Sequence, residues 1–307
     1  MISAPKPRQV ISRPKPQRFP RSKYVTIAAG FPCQDGLVIC ADTQETISGY
    51  IKTDTEKMTT IERDTYNLVF TGAGDSDLIE MTIEEMDIAL TNDRPSGEWE
   101  IRKTLKRVLL NIFRDHIAPD PDILPEDRPE LLIGLQYEAA TLLYKACGTK
   151  FRRLHAAECI GKGIVLAKCL TAQLFDPGMT LVHGGIVALY ILNQTKRWVD
   201  GCGGNSDILL LSHRNRIITR IPTQDIKTLE SHFDNFNEHL RPILVGCADG
   251  KMSQSAFEQA MKQFEFNMDS LRGKFMEFED WAKGIYQRLG QELPEFLRPP
   301  SDSQSAK

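Results

Sequence analysis

Short apolar runs rich in β-branched residues alternate along the chain with longer stretches whose apolar positions recur every three to four residues. The order of these two patterns predicts the architecture. Tyr24-Val25-Thr26-Ile27-Ala28-Ala29-Gly30 and Gly36-Leu37-Val38-Ile39-Cys40-Ala41 read as strands, and the Asp35-Gly36 step between them is a hairpin signal. Residues 57–61 and 67–71 predict a second hairpin, turning at Arg63-Asp64. From Asp75 the apolar positions Leu78, Ile79, Met81, Ile83, Met86, Ile88 and Leu90 follow helical spacing. A further helix is predicted over 98–116, after Ser96-Gly97 and before Pro119, and the prolines at 119, 121, 125 and 129 make 118–130 a loop. Strands return at 131–137, 140–144 and around 151–154. Two helices follow at 163–174 and 181–196, separated by Asp176-Pro177-Gly178, and then a strand pair at 208–211 and 216–221. From Thr223 onward the pattern is helical and highly charged. Strands, two helices, strands, two helices, strands: this succession predicts an α+β fold, a four-layer αββα sandwich with a helical C-terminal extension.

Composition adds boundaries. The 307 residues are 41% hydrophobic and 26% charged, enough for a sizeable core in one large domain or two modest ones. Residues 1–24 carry Lys6, Arg8, Arg13, Lys15, Arg18, Arg21 and Lys23, no acid, and prolines at 5, 7, 14, 16 and 20. Such a stretch is expected to be an extended, disordered basic tail or a removable pro-segment. The sandwich is expected over 25–221, a helical part packed on it over 222–290, and a second disordered tail over 291–307. The apolar residues of that helical part, among them Phe233, Phe236, Phe257, Phe264 and Leu271, are expected to pack against the sandwich.

A net charge of −3 exerts no general pull on nucleic acid or membrane. The stretch 184–192 is too short to span a bilayer, and the N-terminus lacks the apolar segment of a secretory signal. The seven cysteines are odd in number and irregularly spaced, which favours reduced thiols in the cytoplasm over disulfides or zinc. No cofactor or metal is expected.

Several short segments carry a family resemblance. Thr26-Ile27-Ala28-Ala29, then Asp35-Gly36-Leu37-Val38-Ile39-Cys40-Ala41-Asp42-Thr43, Gly49-Tyr50, Lys57-Met58 and Thr71-Gly72-Ala73-Gly74-Asp75 follow in order. Cys159-Ile160-Gly161-Lys162-Gly163 and Gly201-Cys202-Gly203-Gly204-Asn205-Ser206-Asp207 continue the series. Together they resemble proteasome β-type subunits and their bacterial relatives, N-terminal-nucleophile hydrolases, over roughly residues 24–221.

The resemblance implies a nucleophile at Thr26, a carboxylate at Asp42, a lysine at Lys57 and an oxyanion turn at Gly72. In such a site the threonine becomes the first residue of the mature chain, so that its own α-amine removes the hydroxyl proton. The lysine lowers the proton affinity of the hydroxyl, and backbone N–H groups stabilise the oxyanion. The resemblance thus implies a threonine-type peptidase or amidohydrolase acting on peptide or unfolded protein, and self-association into rings.

Alternatives stay open at this level. Sliding the alignment by one puts Val25, which has no hydroxyl, at the nucleophile position. Lys162 stands where the family has a serine, and Asp200 is offset from the expected aspartate. Cys33 and Cys40 are further candidate nucleophiles, and a non-catalytic assembly subunit keeping its N-terminal segment is the second reading.

Overall fold

The computed structural model describes residues 23–24, 26–47, 51–213, 216–248 and 252–288. Most of the two expected tails, together with Val25, Gly49-Tyr50 and the side chain of Cys247, lies outside the described residues. The core is a pair of sheets. In the smaller, β2 (Ile27–Cys33) and β3 (Gly36–Asp42) form the predicted hairpin, turning at Gln34-Asp35. β11 (Glu158–Gly161) adds to β2, while β12 (Ser206–Ser212) and then β13 (Ile218–Arg220) add to β3. All pairings are antiparallel.

The larger sheet is built on β7 (Tyr66–Asp75). On one edge of it come β8 (Glu130–Tyr137), β9 (Ala140–Cys147) and β10 (Lys150–Leu154). Two strands share its other edge. β6 (Met58–Glu62) pairs with residues 67–71, and β1 (Lys23–Tyr24) pairs with Gly74 and Asp75. Beyond β1 lie β4 (Gln44–Ile47) and β5 (Ile51–Asp54).

Three apolar layers account for the arrangement, because each central strand is buried on both faces. Leu37, Ile39 and Ala41 of β3 meet Val69 and Ala73 of β7 and Leu132 of β8 between the sheets. The alternate residues Val38 and Cys40 face a helical layer of α3 (Ile164–Leu174) and α4 (Leu181–Trp198). Leu68 and Phe70 face the other layer, α1 (Ser76–Asp93) and α2 (Glu98–Ile112). A period of two thus serves two cores at once, which is why these strands read as unbroken apolar runs. Between the sheets β8 carries Gly134, where a Cβ would stand 2.5 Å from Cδ1 of Ile39.

The caps follow the sequence. Asp75 accepts from the Leu78 amide at 3.1 Å to start α1, and Thr180 from the His183 amide at 3.4 Å to start α4. The second predicted helix does run to residue 117, but its last turn, Phe113–Ile117, is a π-helix. α5 (Thr223–Ala248) and α6 (Gln254–Arg288) extend the layer of α3 and α4, burying Ile226, Leu229, Phe233 and Leu271. None of the described helices is long and apolar enough to cross a membrane.

One strand was expected over 24–30. The structure divides it: Lys23–Tyr24 belongs to the larger sheet and Ile27–Cys33 to the smaller, so the chain changes sheets at Thr26. Two residues are too few to show a period, and the crossing leaves the apolar run unbroken in sequence.

Candidate active site

At one end of the sandwich, four connections meet. Thr26 lies at the sheet change, Asp42 ends β3, Lys57 immediately precedes β6, and residues 201–205 link α4 to β12. The sequence-predicted Thr26, Asp42 and Lys57 come together there, with their residues at 0%, 0% and 5% exposure. The Thr26 hydroxyl donates to Oδ1 of Asp42. The Lys57 ammonium donates to Thr26 Oγ1 at 3.0 Å, to Asp42 Oδ1 at 2.8 Å and to the Gln44 carbonyl. Its three N–H groups therefore each have an acceptor. Oδ1 of Asp42 also accepts from the Ile27 amide at 3.3 Å, and Oδ2 from the Gly203 amide at 2.8 Å.

Burial pushes the Lys57 amine below its ordinary value, and the nearby Asp42 carboxylate opposes that shift. A hydroxyl that accepts from an ammonium while donating to a carboxylate is polarised and fixed in orientation. That is the chemical capacity of the cluster.

Gly72 is not in this hydrogen-bonded group. It sits in β7 opposite Leu131, and one residue beyond the Met58–Thr71 pair the two strands bring Gly72 and Lys57 to adjoining positions. A Cβ at Gly72 would meet Leu131 and Ile79 on the α1 side, 2.9 and 3.0 Å away. One residue earlier, the Thr71 hydroxyl is buried without a hydrogen-bond partner among the described residues.

Several neighbours of the cluster escaped sequence reasoning. The Gly203 amide and the Gln44 carbonyl are backbone groups, invisible as residue types. Gly161 has φ +92°, and a Cβ there would stand 2.2 Å from the Thr26 carbonyl oxygen. The loop thus closes on the Thr26 backbone, with the Gly163 amide 3.5 Å from the same oxygen. Cys202, 5% exposed, is close enough to feel the charges of Asp42, Lys57 and Lys162; burial and then Asp42 push its thiol up to about 12. The glycine-rich run 201–204 was the sequence signal for this corner. Asp200 is exposed and takes no part in the cluster. Cys33 and Cys40 are buried in the smaller sheet facing α3 and α4, and burial raises both, Cys33 to about 12 and Cys40 well above its ordinary value. Among the described residues no group of His, Cys, Asp and Glu is arranged to hold a metal.

No family model matches the sequence, and no curated protein matches it. Solved structures do match the fold. Anbu (ancestral β-subunit) from Yersinia bercovieri superposes with a TM-score of 0.60 at 14% identity, covering 72% of this chain and 97% of that one. The Gly-1 mutant of Anbu from Hyphomicrobium sp. strain MC1 gives 0.58 at 16% identity, with 75% and 98% covered. The helical assembly of the Anbu complex from Pseudomonas aeruginosa gives 0.57 at 15% identity, with 75% and 99% covered. The chain is similar to these proteins in fold, a proteasome-related α+β sandwich.

Proposed function

We propose that this chain is a proteasome-like threonine peptidase or amidohydrolase whose nucleophile is the hydroxyl of Thr26, made the first residue by removal of residues 1–25. The observation that carries this reading is the buried contact of Thr26 Oγ1 with both the Lys57 ammonium, at 3.0 Å, and the Asp42 carboxylate. Removal of the preceding segment supplies the missing base. The new α-amine, with an ordinary pKa near ~8, takes the hydroxyl proton as Oγ1 attacks a substrate carbonyl. Lys57 stays charged against Asp42 and lowers the cost of the alkoxide. The Gly72 amide is assigned the developing oxyanion, the protonated α-amine gives its proton to the leaving amine, and a water deprotonated by the same amine then hydrolyses the Thr26 ester and frees the acid.

The position of β1 supports peptide or unfolded protein as substrate. An extended segment already pairs there with Thr46 on one side and with Gly74 and Asp75 on the other. The solved relative described as a helical assembly supports self-association of this chain as well.

A second reading, a non-catalytic assembly subunit, is favoured by one observation: Lys23–Tyr24, just ahead of Thr26, pair in the larger sheet and Thr26 is wholly buried. Intact-mass measurement separates the two. The peptidase reading expects a purified species beginning at Thr26 that cleaves peptide substrates, and a Thr26→Ala variant that keeps its full length and is inactive. A persistently full-length wild type without hydrolytic activity supports the subunit instead.

A further inference from the structure

At the margin of the larger sheet, α2 and the edge strand β10 frame a concavity of about 300 Å³, lined by Trp99, Arg102, Lys103, Lys106 and Phe151. Aromatic and cationic groups interleave in it. Trp99 is 66% exposed, and Nζ of Lys103 stands 5.1 Å from the centre of its ring. Phe151 stacks on Tyr144 with ring centres 5.2 Å apart and planes at 24°. The Arg102 guanidinium lies 5.7 Å from the centre of the Tyr144 ring, and Arg153 is paired directly across from Tyr144 on β10.

The acids nearby are engaged at the start of α2. Glu98 accepts from the Tyr144 hydroxyl at 2.6 Å and lies 3.7 Å from Arg102, while Glu100 accepts from the amide and hydroxyl of Ser96. Lys103, Lys106 and Arg153 have no ion-pair partner within 4.0 Å among the described residues, and the buried Nε of Arg102 makes no hydrogen bond. In a chain of net charge −3, this local excess of positive charge is set against the general balance.

From this juxtaposition we infer that the α2/β10 concavity is a nucleotide-binding site, independent of the Thr26 cluster. Exposed indole and half-buried phenyl rings offer faces on which a base stacks. Lys103 and Lys106, both exposed on the lining, offer the charges that phosphate requires. The volume is at the small end of ligand sites and suits a mononucleotide. An inorganic anion would use only the cations, and a neutral ring only the aromatics. A nucleotide uses both.

The test is calorimetric titration of the full-length protein with ADP, adenosine, pyrophosphate and a short oligothymidylate. ADP is expected to bind at least about tenfold more tightly than adenosine or pyrophosphate, because it alone engages rings and cations together. The exposed pair Lys103→Glu/Lys106→Glu is expected to weaken ADP by about tenfold or more at unchanged thermal midpoint. Trp99→Ala is expected to bring ADP down towards pyrophosphate. The idea is overturned if millimolar ADP gives no heat, if pyrophosphate binds as well as ADP, if oligothymidylate binds more tightly than ADP, or if both variants bind ADP like wild type. The ligand comparison on wild type needs no variant to fold.

Discussion

The Cys202 thiol, a second class of nucleophile, lies within the field of the same Asp42 and Lys57 charges that hold the Thr26 hydroxyl, and those charges act on the two groups differently. Lys57 polarises the hydroxyl, whereas burial and Asp42 hold the thiol protonated. At a pKa of about 12 the thiolate fraction at pH 8 is about one in ten thousand. Because the folded-state value is raised, the thiolate appears only as pH climbs towards it. Cys202 alkylation by iodoacetamide in the native protein is therefore expected to be very slow. Its rate should rise about tenfold per pH unit between roughly 7 and 9, without the levelling that a thiol at the ordinary 9.0 begins to show. Peptide mapping by mass spectrometry reads this directly, with exposed Cys169 as the fast internal reference. Rapid modification of Cys202 at neutral pH would mean that the corner opens to solvent far more than its burial implies.

Among the elements, the loop from β11 to α3 governs the placement of Thr26. Gly161 has a left-handed backbone, and the space a side chain would fill is taken by the Thr26 carbonyl. Gly161→Ala is expected to destabilise by about 2–4 kcal/mol, combining backbone strain with displacement of the Thr26 backbone. Chemical denaturation measures the loss, and a change under about 0.5 kcal/mol would show that this approach is not constraining. The same scale explains what was legible in advance. The four-layer order was readable because Val38, Cys40, Leu68 and Phe70 serve helical layers while Leu37, Ile39 and Val69 fill the space between sheets. Asp42 and Lys57 were readable from their place in a series of short motifs. The strands Lys23–Tyr24, Gln44–Ile47, Ile51–Asp54 and Glu158–Gly161 were not, because two to four residues carry too little period to stand out. Nor could residue types announce the Gly203 amide or the Gln44 carbonyl, since every residue carries those groups.

At the scale of the whole molecule, α5 and α6 are tied to the sandwich by its own core. Ile226, Leu229, Phe233 and Leu271 are buried in the layer that α3 and α4 share with the smaller sheet. Each such side chain contributes about 1.5–3 kcal/mol when fully buried. A chain ending at residue 221 is accordingly expected to aggregate or to melt at least about 10 °C lower, as followed by differential scanning calorimetry. An unchanged midpoint would make the two helices an independent appendage. A wider consequence follows from the two residues of β1. Among the described residues they are the only strand that links β7 to the β4–β5 hairpin in the larger sheet. Loss of residues 1–25 would thus do more than expose an amine: it would unfasten a hinge, opening the edge of the hairpin beside Thr46. In a chain made to begin at Thr26, hydrogen–deuterium exchange is expected to quicken across 44–54 while the β6–β7 amides stay protected. Equal protection in both chains would mean that the hairpin is fastened by its other neighbours, and that generating the nucleophile leaves the rest of the sheet untouched.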